Sequence, residues 1–118
     1  MHPYKRSQRL SVLLREEVAD IILRKLKDPR LGFITVTDVE LSEDLKIAKV
    51  FVSVLKTEQK DITLKILNEA KGFVRNEIAK RLHIKVIPTF EFLFDESIER
   101  GFRIDALLRE IRKTSEED

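Results

Sequence analysis

Residues 61–82 read DITLKILNEAKGFVRNEIAKRL, and the way this stretch breaks decides the fold. Ile62, Leu64, Ile66, Leu67 and Ala70 carry one apolar run, opened by Asp61 as candidate N-cap. Gly72 interrupts it. The pattern resumes with Phe73, Val74, Ile78 and Leu82 and stops near His83. Two helices are therefore predicted, meeting at a corner over Ala70-Lys71-Gly72, where glycine can take backbone angles that other residues resist.

Upstream of that corner, Ala48, Val50, Val52 and Val54 alternate as one face of a strand. Residues 33–42 form the strand before it, rich in β-branched types. Its apolar parity moves from Ile34 and Val36 to Val39 and Leu41, which predicts a bulge near Thr37-Asp38. The polar turn Ser42-Glu43-Asp44 joins the two strands into an antiparallel hairpin. Residues 6–27 read as a helix, with Leu10, Leu13, Leu14, Val18, Ile21 and Ile22 on one stripe. Asp28-Pro29 ends it, because the residue before a proline is driven from the α region.

Downstream, Val86, Ile87, Phe90, Phe92, Leu93 and Phe94 form a third strand. Pro88 has no N–H to give, so that strand lies at an edge or pairs on one side there. The alternation of Phe90, Phe92 and Phe94 suits core packing. Ser97–Arg112 reads as a further helix with Ile104, Leu107, Leu108 and Ile111 on its apolar face. The expectation is an α+β domain, α-β-β-α-kink-α-β, with a three-stranded sheet packed on helices and a C-terminal helical segment. One domain spans residues 1–113, and residues 114–118 are a frayed acidic tail.

The 118 residues suffice for one core, and three glycines and three prolines argue against a disordered chain. The absence of cysteine excludes disulfides, a thiol nucleophile and thiolate metal sites. His2 and His83 stand in unlike contexts, so no metal site or other cofactor is expected, and no Walker-type or GxGxxG run is present. With no membrane-length apolar run and no leader pattern, the expected location is cytoplasmic. The net charge of +2 conceals a gradient. Residues 1–30 carry eight Lys/Arg against four Asp/Glu, whereas residues 95–118 carry five against eight. A basic front and an acidic end suit an anionic partner met through one face.

The candidate nucleic-acid contacts follow from that polarity. At the corner, the start of the second helix offers N–H groups and a positive dipole end to a phosphate, with Lys71 and, one turn on, Arg75 beside it. Read blandly, Gly72 only caps the preceding helix and both cations are solvated. Lys5, Arg6 and Arg9 open the first helix, and Arg24, Lys25, Lys27 and Arg30 close it. Cations at a helix C-terminus are favourable without any ligand, so the second cluster has a purely structural explanation too. Tyr4 lies among basic residues, where it suits either base stacking or simple packing.

The element order, with its glycine at the helix–helix corner, resembles the type II KH fold, and the local motifs resemble the ribosome-binding factor A family. Asp28-Pro29-Arg30 looks like that family's first motif. The run from Ile34 to Ser42, followed by Asp44-Leu45, looks like its second. Ala48–Ser53 is similar to its second strand. Ala70-Lys71-Gly72 is similar to the alanine-any-glycine kink that stands in place of the KH GxxG loop. Pro88, Phe92, Asp95-Glu96-Ser97-Ile98 and Arg103-Ile104 complete the pattern over roughly residues 5–112. His83-Ile84-Lys85 departs from an arginine-bearing stretch, keeping a basic side chain at Lys85.

The resemblance implies a ribosome assembly factor, without enzymatic activity, that binds the immature small (30S) subunit and its 16S rRNA and promotes late rRNA processing, most of all in the cold. Together with the charge clusters and the helix start read above, it puts the expected RNA contacts at Lys5, Arg6, Arg9, Arg30, Ala70, Lys71, Gly72, Arg75 and Lys85. The partner would be 16S rRNA within the subunit, with no membrane and no small-molecule substrate, and the free protein a monomer. Two rival readings differ in class. A protein-interaction module on the same fold would dock without responding to salt; a small hydrolase built on Asp95 and Glu96 would lose turnover when they are replaced.

Overall fold

The computed structural model describes residues 3–97. The predicted helix over Ser97–Arg112 and the acidic end therefore lie outside the described residues, apart from Ser97 itself. The elements are α1 (Pro3–Arg24), β1 (Ile34–Leu41), β2 (Ile47–Val54), a 3₁₀ turn (Thr57–Gln59), α2 (Lys60–Glu69), α3 (Lys71–Arg81) and β3 (Thr89–Phe94).

The strands lie in the order β1-β2-β3, with β1 antiparallel and β3 parallel to β2. A parallel neighbour needs a crossover, and the α2–α3 pair supplies it. The register slips between Val36 and Asp38, where the change in apolar parity predicts the bulge. Before the slip Val36 pairs with Val52, and after it Val39 pairs with Val50, so both strands keep their apolar side chains on one face. The hairpin turn is built by side chains. Ser42 Oγ donates to Asp44 Oδ1 at 2.6 Å, and Asp44 Oδ1 accepts the Lys46 N–H at 3.1 Å. They hold Leu45 at φ 62°, a left-handed conformation that costs a side-chain-bearing residue about 1–2 kcal/mol.

One face of the sheet meets the helices. Leu14, Val18 and Ile21 of α1, Leu67 of α2, and Val74 and Ile78 of α3 are fully buried against Ala48, Val50, Val52 and Phe90, with Phe92 nearly so. Each of these side chains larger than alanine contributes roughly 1.5–3 kcal/mol by leaving water. The other face carries Lys49, Glu91 and Thr89, all exposed, with Phe51 half-buried.

Three local expectations are corrected. The first helix runs Pro3–Arg24 rather than 6–27; beyond it the Lys25 and Leu26 N–H groups still bond Ile21 O before the chain turns. Asp61 does not cap α2. The 3₁₀ turn feeds straight into the helix, Gln59 occupies the cap position without a side-chain bond, and Asp61 sits in the first turn, where its charge suits the dipole. Val86 and Ile87 stay out of β3, which begins at Thr89 just after the buried Pro88.

Candidate nucleic-acid interface

A single residue separates α2 from α3. The Ala70 N–H donates to Ile66 O and Leu67 O, both at 3.1 Å, closing one helix, while Ala70 O accepts the Val74 N–H at 3.0 Å, opening the next. Its φ/ψ of −91°/2° belong to the bridge region, open to any residue. The break therefore falls at Ala70, two residues before Gly72. Gly72 itself is helical and exposed, without positive φ, and a Cβ built on it meets nothing within 4 Å. The bend does not require this glycine, contrary to the sequence expectation. What its missing side chain provides is open surface at the start of a helix that no side chain caps. Uncapped N–H groups with a bare approach suit a phosphodiester backbone.

At 100° per residue, α3 turns Val74 and Ile78 to the core, Lys71 and Arg75 to one flank, and Phe73 and Arg81 to the other. On the first flank Arg75 Nη2 donates to Ile87 O at 3.3 Å, so its guanidinium rests against the loop that runs back from α3 to β3. That loop carries Lys85. Lys71, Arg75 and Lys85 are all exposed; the first two share a flank of α3, and Lys85 lies two residues before the carbonyl that Arg75 meets.

On the second flank Arg81 is clamped to α1. Its Nη1 lies 3.1 Å from Glu17 Oε2 and 2.7 Å from Asp20 Oδ2, and the side chain is only 23% exposed. Arg81, assisted by Arg24, holds the Asp20 carboxyl below its usual range. Nearer the corner an open groove of about 740 Å³ separates the end of α1 from the α2–α3 junction, lined by Lys25, Leu26, Lys27, Asp28, Pro29, Arg30, Ile66, Glu69, Ala70 and Phe73. Arg30 is fixed there by a fork on Asp28, with Nε to Oδ1 at 3.1 Å and Nη2 to Oδ2 at 2.7 Å. That fork, with the Arg30 N–H at 2.9 Å, lowers the Asp28 pKa to about 2.

The predicted residues thus fall into two places. Ala70, Lys71, Gly72 and Arg75 lie at the corner and in the turn that follows it, Lys85 lies in the loop that Arg75 touches at Ile87, and Arg30 stands across the groove. Lys5, Arg6 and Arg9 sit instead in the first turns of α1, a helix roughly 33 Å long, whose other end meets the corner. Arg6 and Arg9 are exposed there. Tyr4 shares that end, and its side chain lies outside what is described. Sequence reasoning missed Phe73, which is 42% exposed in the groove, and Arg81, whose partners stand more than sixty residues away. It also missed Asn68. The Asn68 amide accepts the Phe92 N–H at 3.0 Å and donates to Phe92 O at 3.1 Å, pinning α2 to the outer edge of β3. Among the described residues no cluster of His, Asp or Glu is arranged to hold a metal, and no helix is long and apolar enough to cross a membrane.

Known proteins with this arrangement agree on one family. The family model of ribosome-binding factor A matches residues 6–108. The ribosome-binding factor A of Thermodesulfovibrio yellowstonii is 80% identical over 117 residues, 99% of each chain. The crystal structure of the Thermus thermophilus factor aligns with a TM-score of 0.67 and 31% identity, covering 74% of this chain and 93% of that one. A homology model of the Thermus factor, fitted into a cryo-electron-microscopy map of a complex with the 30S subunit, aligns at 0.63 with 29% identity, covering 73% and 91%. By sequence over nearly its whole length and by fold, this chain belongs to the ribosome-binding factor A family.

Proposed function

We propose that this protein binds the immature 30S subunit through its 16S rRNA and promotes the late processing and maturation of that RNA. It acts in the cytoplasm as a monomeric assembly factor, performs no chemistry of its own, and matters most in the cold, when misfolded RNA is slow to rearrange. The observation that carries this reading is the corner: an uncapped helix start beside the bare Gly72, with the exposed Lys71 and Arg75 on one flank of the helix. The fit of the Thermus relative into a 30S complex supports the choice of partner. One corner residue replaces the usual loop, so the contact favours the shape of folded rRNA over a run of splayed bases. Lys5, Arg6 and Arg9 supply a separate contact at the far end of α1, spreading the footprint along the helix.

Co-sedimentation with small subunits from immature and mature pools, at low and high salt, tests this reading. Binding to the immature pool at low salt, lost as salt rises, is the expected result. Equal failure to sediment with either pool contradicts it. A second reading is favoured by Leu23, Phe33 and Leu55, each more than three-quarters exposed: a protein partner docked on an apolar face. That binding would persist at high salt.

A further inference from the structure

We propose that the groove between the end of α1 and the α2–α3 corner is a stacking site for a single unpaired RNA base, with Phe73 as its platform. The inference rests on the RNA-binding reading above and adds a second contact, on the flank of α3 opposite Arg75.

The groove has the shape, the lining and the charge for that ligand. It is open rather than enclosed, about 740 Å³ in extent, so it offers a wall to one face of a base rather than a closed pocket. Phe73 leaves 42% of its surface in water although it stands beside Leu26, Pro29 and Ile66. An aromatic ring held open over an apolar wall is what base stacking uses. Lys25, Lys27 and Arg30 stand around it, all exposed. Asp28 is taken up by the fork to Arg30, which leaves the planar guanidinium fixed at the rim. Glu69 is the other carboxylate of the wall; the Arg30 pKa is raised by Asp28 first and by the Glu69 charge after it.

The balance of charge selects among ligands. Three cations against two carboxylates make a modest field, insufficient for a free phosphate in competition with water. A nucleotide brings a flat apolar face for Phe73 as well as a phosphate for the lysines, and its exocyclic amine suits the Glu69 carboxylate. The position fits too. Phe73 follows Gly72 directly, so a backbone held at the open helix start delivers its neighbouring base into the groove.

The chain contains no tryptophan, so Phe73→Trp places a single fluorescent reporter on the platform. The probes are octaadenylate and an abasic octamer of equal charge. Stacking predicts saturable quenching of the Trp emission by octaadenylate and little by the abasic strand. Phe73→Leu, which keeps an apolar side chain at an exposed position, should weaken octaadenylate binding roughly tenfold while leaving its salt dependence unchanged. Unchanged emission at saturation, equal quenching by both strands, undiminished binding by Phe73→Leu, or no octaadenylate binding by the wild type each overturns the inference. So does a Phe73→Leu protein that binds octaadenylate normally but loses a protein partner. The underlying reading fails separately, if Lys71→Glu/Arg75→Glu leaves binding to small subunits intact.

Discussion

Replacing Gly72 by alanine should move stability and binding in opposite directions. The residue is helical, its φ is not positive, and a Cβ there meets nothing within 4 Å. The fold therefore gains from alanine what helix propensity offers, up to about 1 kcal/mol in a helix interior and roughly half that in a first turn. For a domain of this size the gain corresponds to a rise in Tm of about 2–4 °C. The same methyl group stands at the helix start proposed to receive the RNA backbone, so affinity for the small subunit should fall, and Gly72→Val should lower it further. Thermal denaturation followed by circular dichroism, paired with co-sedimentation of the same samples, measures both. A loss of 1 kcal/mol or more in stability would show that the fold itself needs the glycine, refuting the reasoning. Undiminished binding by a stabilised Gly72→Ala would refute the close approach.

Three further outcomes follow from the packing. Arg81→Met removes the clamp between α3 and α1, leaving Glu17 without the cation it faces and Asp20 with Arg24 alone, and should lower the urea midpoint; an unchanged midpoint would make the clamp energetically idle. Asn68→Ala strips both partners from the Phe92 peptide and should cost about 2–3 kcal/mol, with faster amide exchange at Phe92 as its local signature; exchange as slow as in the wild type would contradict the pairing. Asp28 should titrate near pH 2 by carboxyl NMR. Because its folded pKa is depressed, its contribution to stability is present above the unfolded value near 3.9 and disappears as pH falls through 2. Arg30→Ala should return the midpoint towards 3.9; a wild-type midpoint already there would dissolve the fork.

Local chemistry was legible in the sequence wherever neighbours along the chain decide it. The parity change from Val36 to Val39 located the bulge, because a pleated strand cannot otherwise keep both residues on one face. The alternating phenylalanines gave Phe90 and Phe92 to the core, whereas Pro88 was read as lying within the third strand and in fact precedes it. The helix–helix corner was legible too, but was assigned to the wrong residue. A glycine near a break invites the inference that it makes the break, whereas Ala70 turns the chain with angles any residue can adopt. The rest depended on pairs distant in sequence. Arg81 looked like one more cation in a helical last turn, and only α1 packing beside it supplies Glu17 and Asp20. Arg30 and Phe73 were separate features until the fold placed them in one groove. Lys5, Arg6 and Arg9 were legible as a cluster at the start of the first helix, but only the length of α1 shows how far they stand from the corner.

The salt dependence of binding to the small subunit tests the corner most directly. Affinity should fall steeply with ionic strength, and the logarithmic slope should lessen by about 1.5–2 when Lys71→Glu and Arg75→Glu remove two phosphate contacts. A slope unaltered by that double reversal would mean that rRNA is held somewhere else on the molecule.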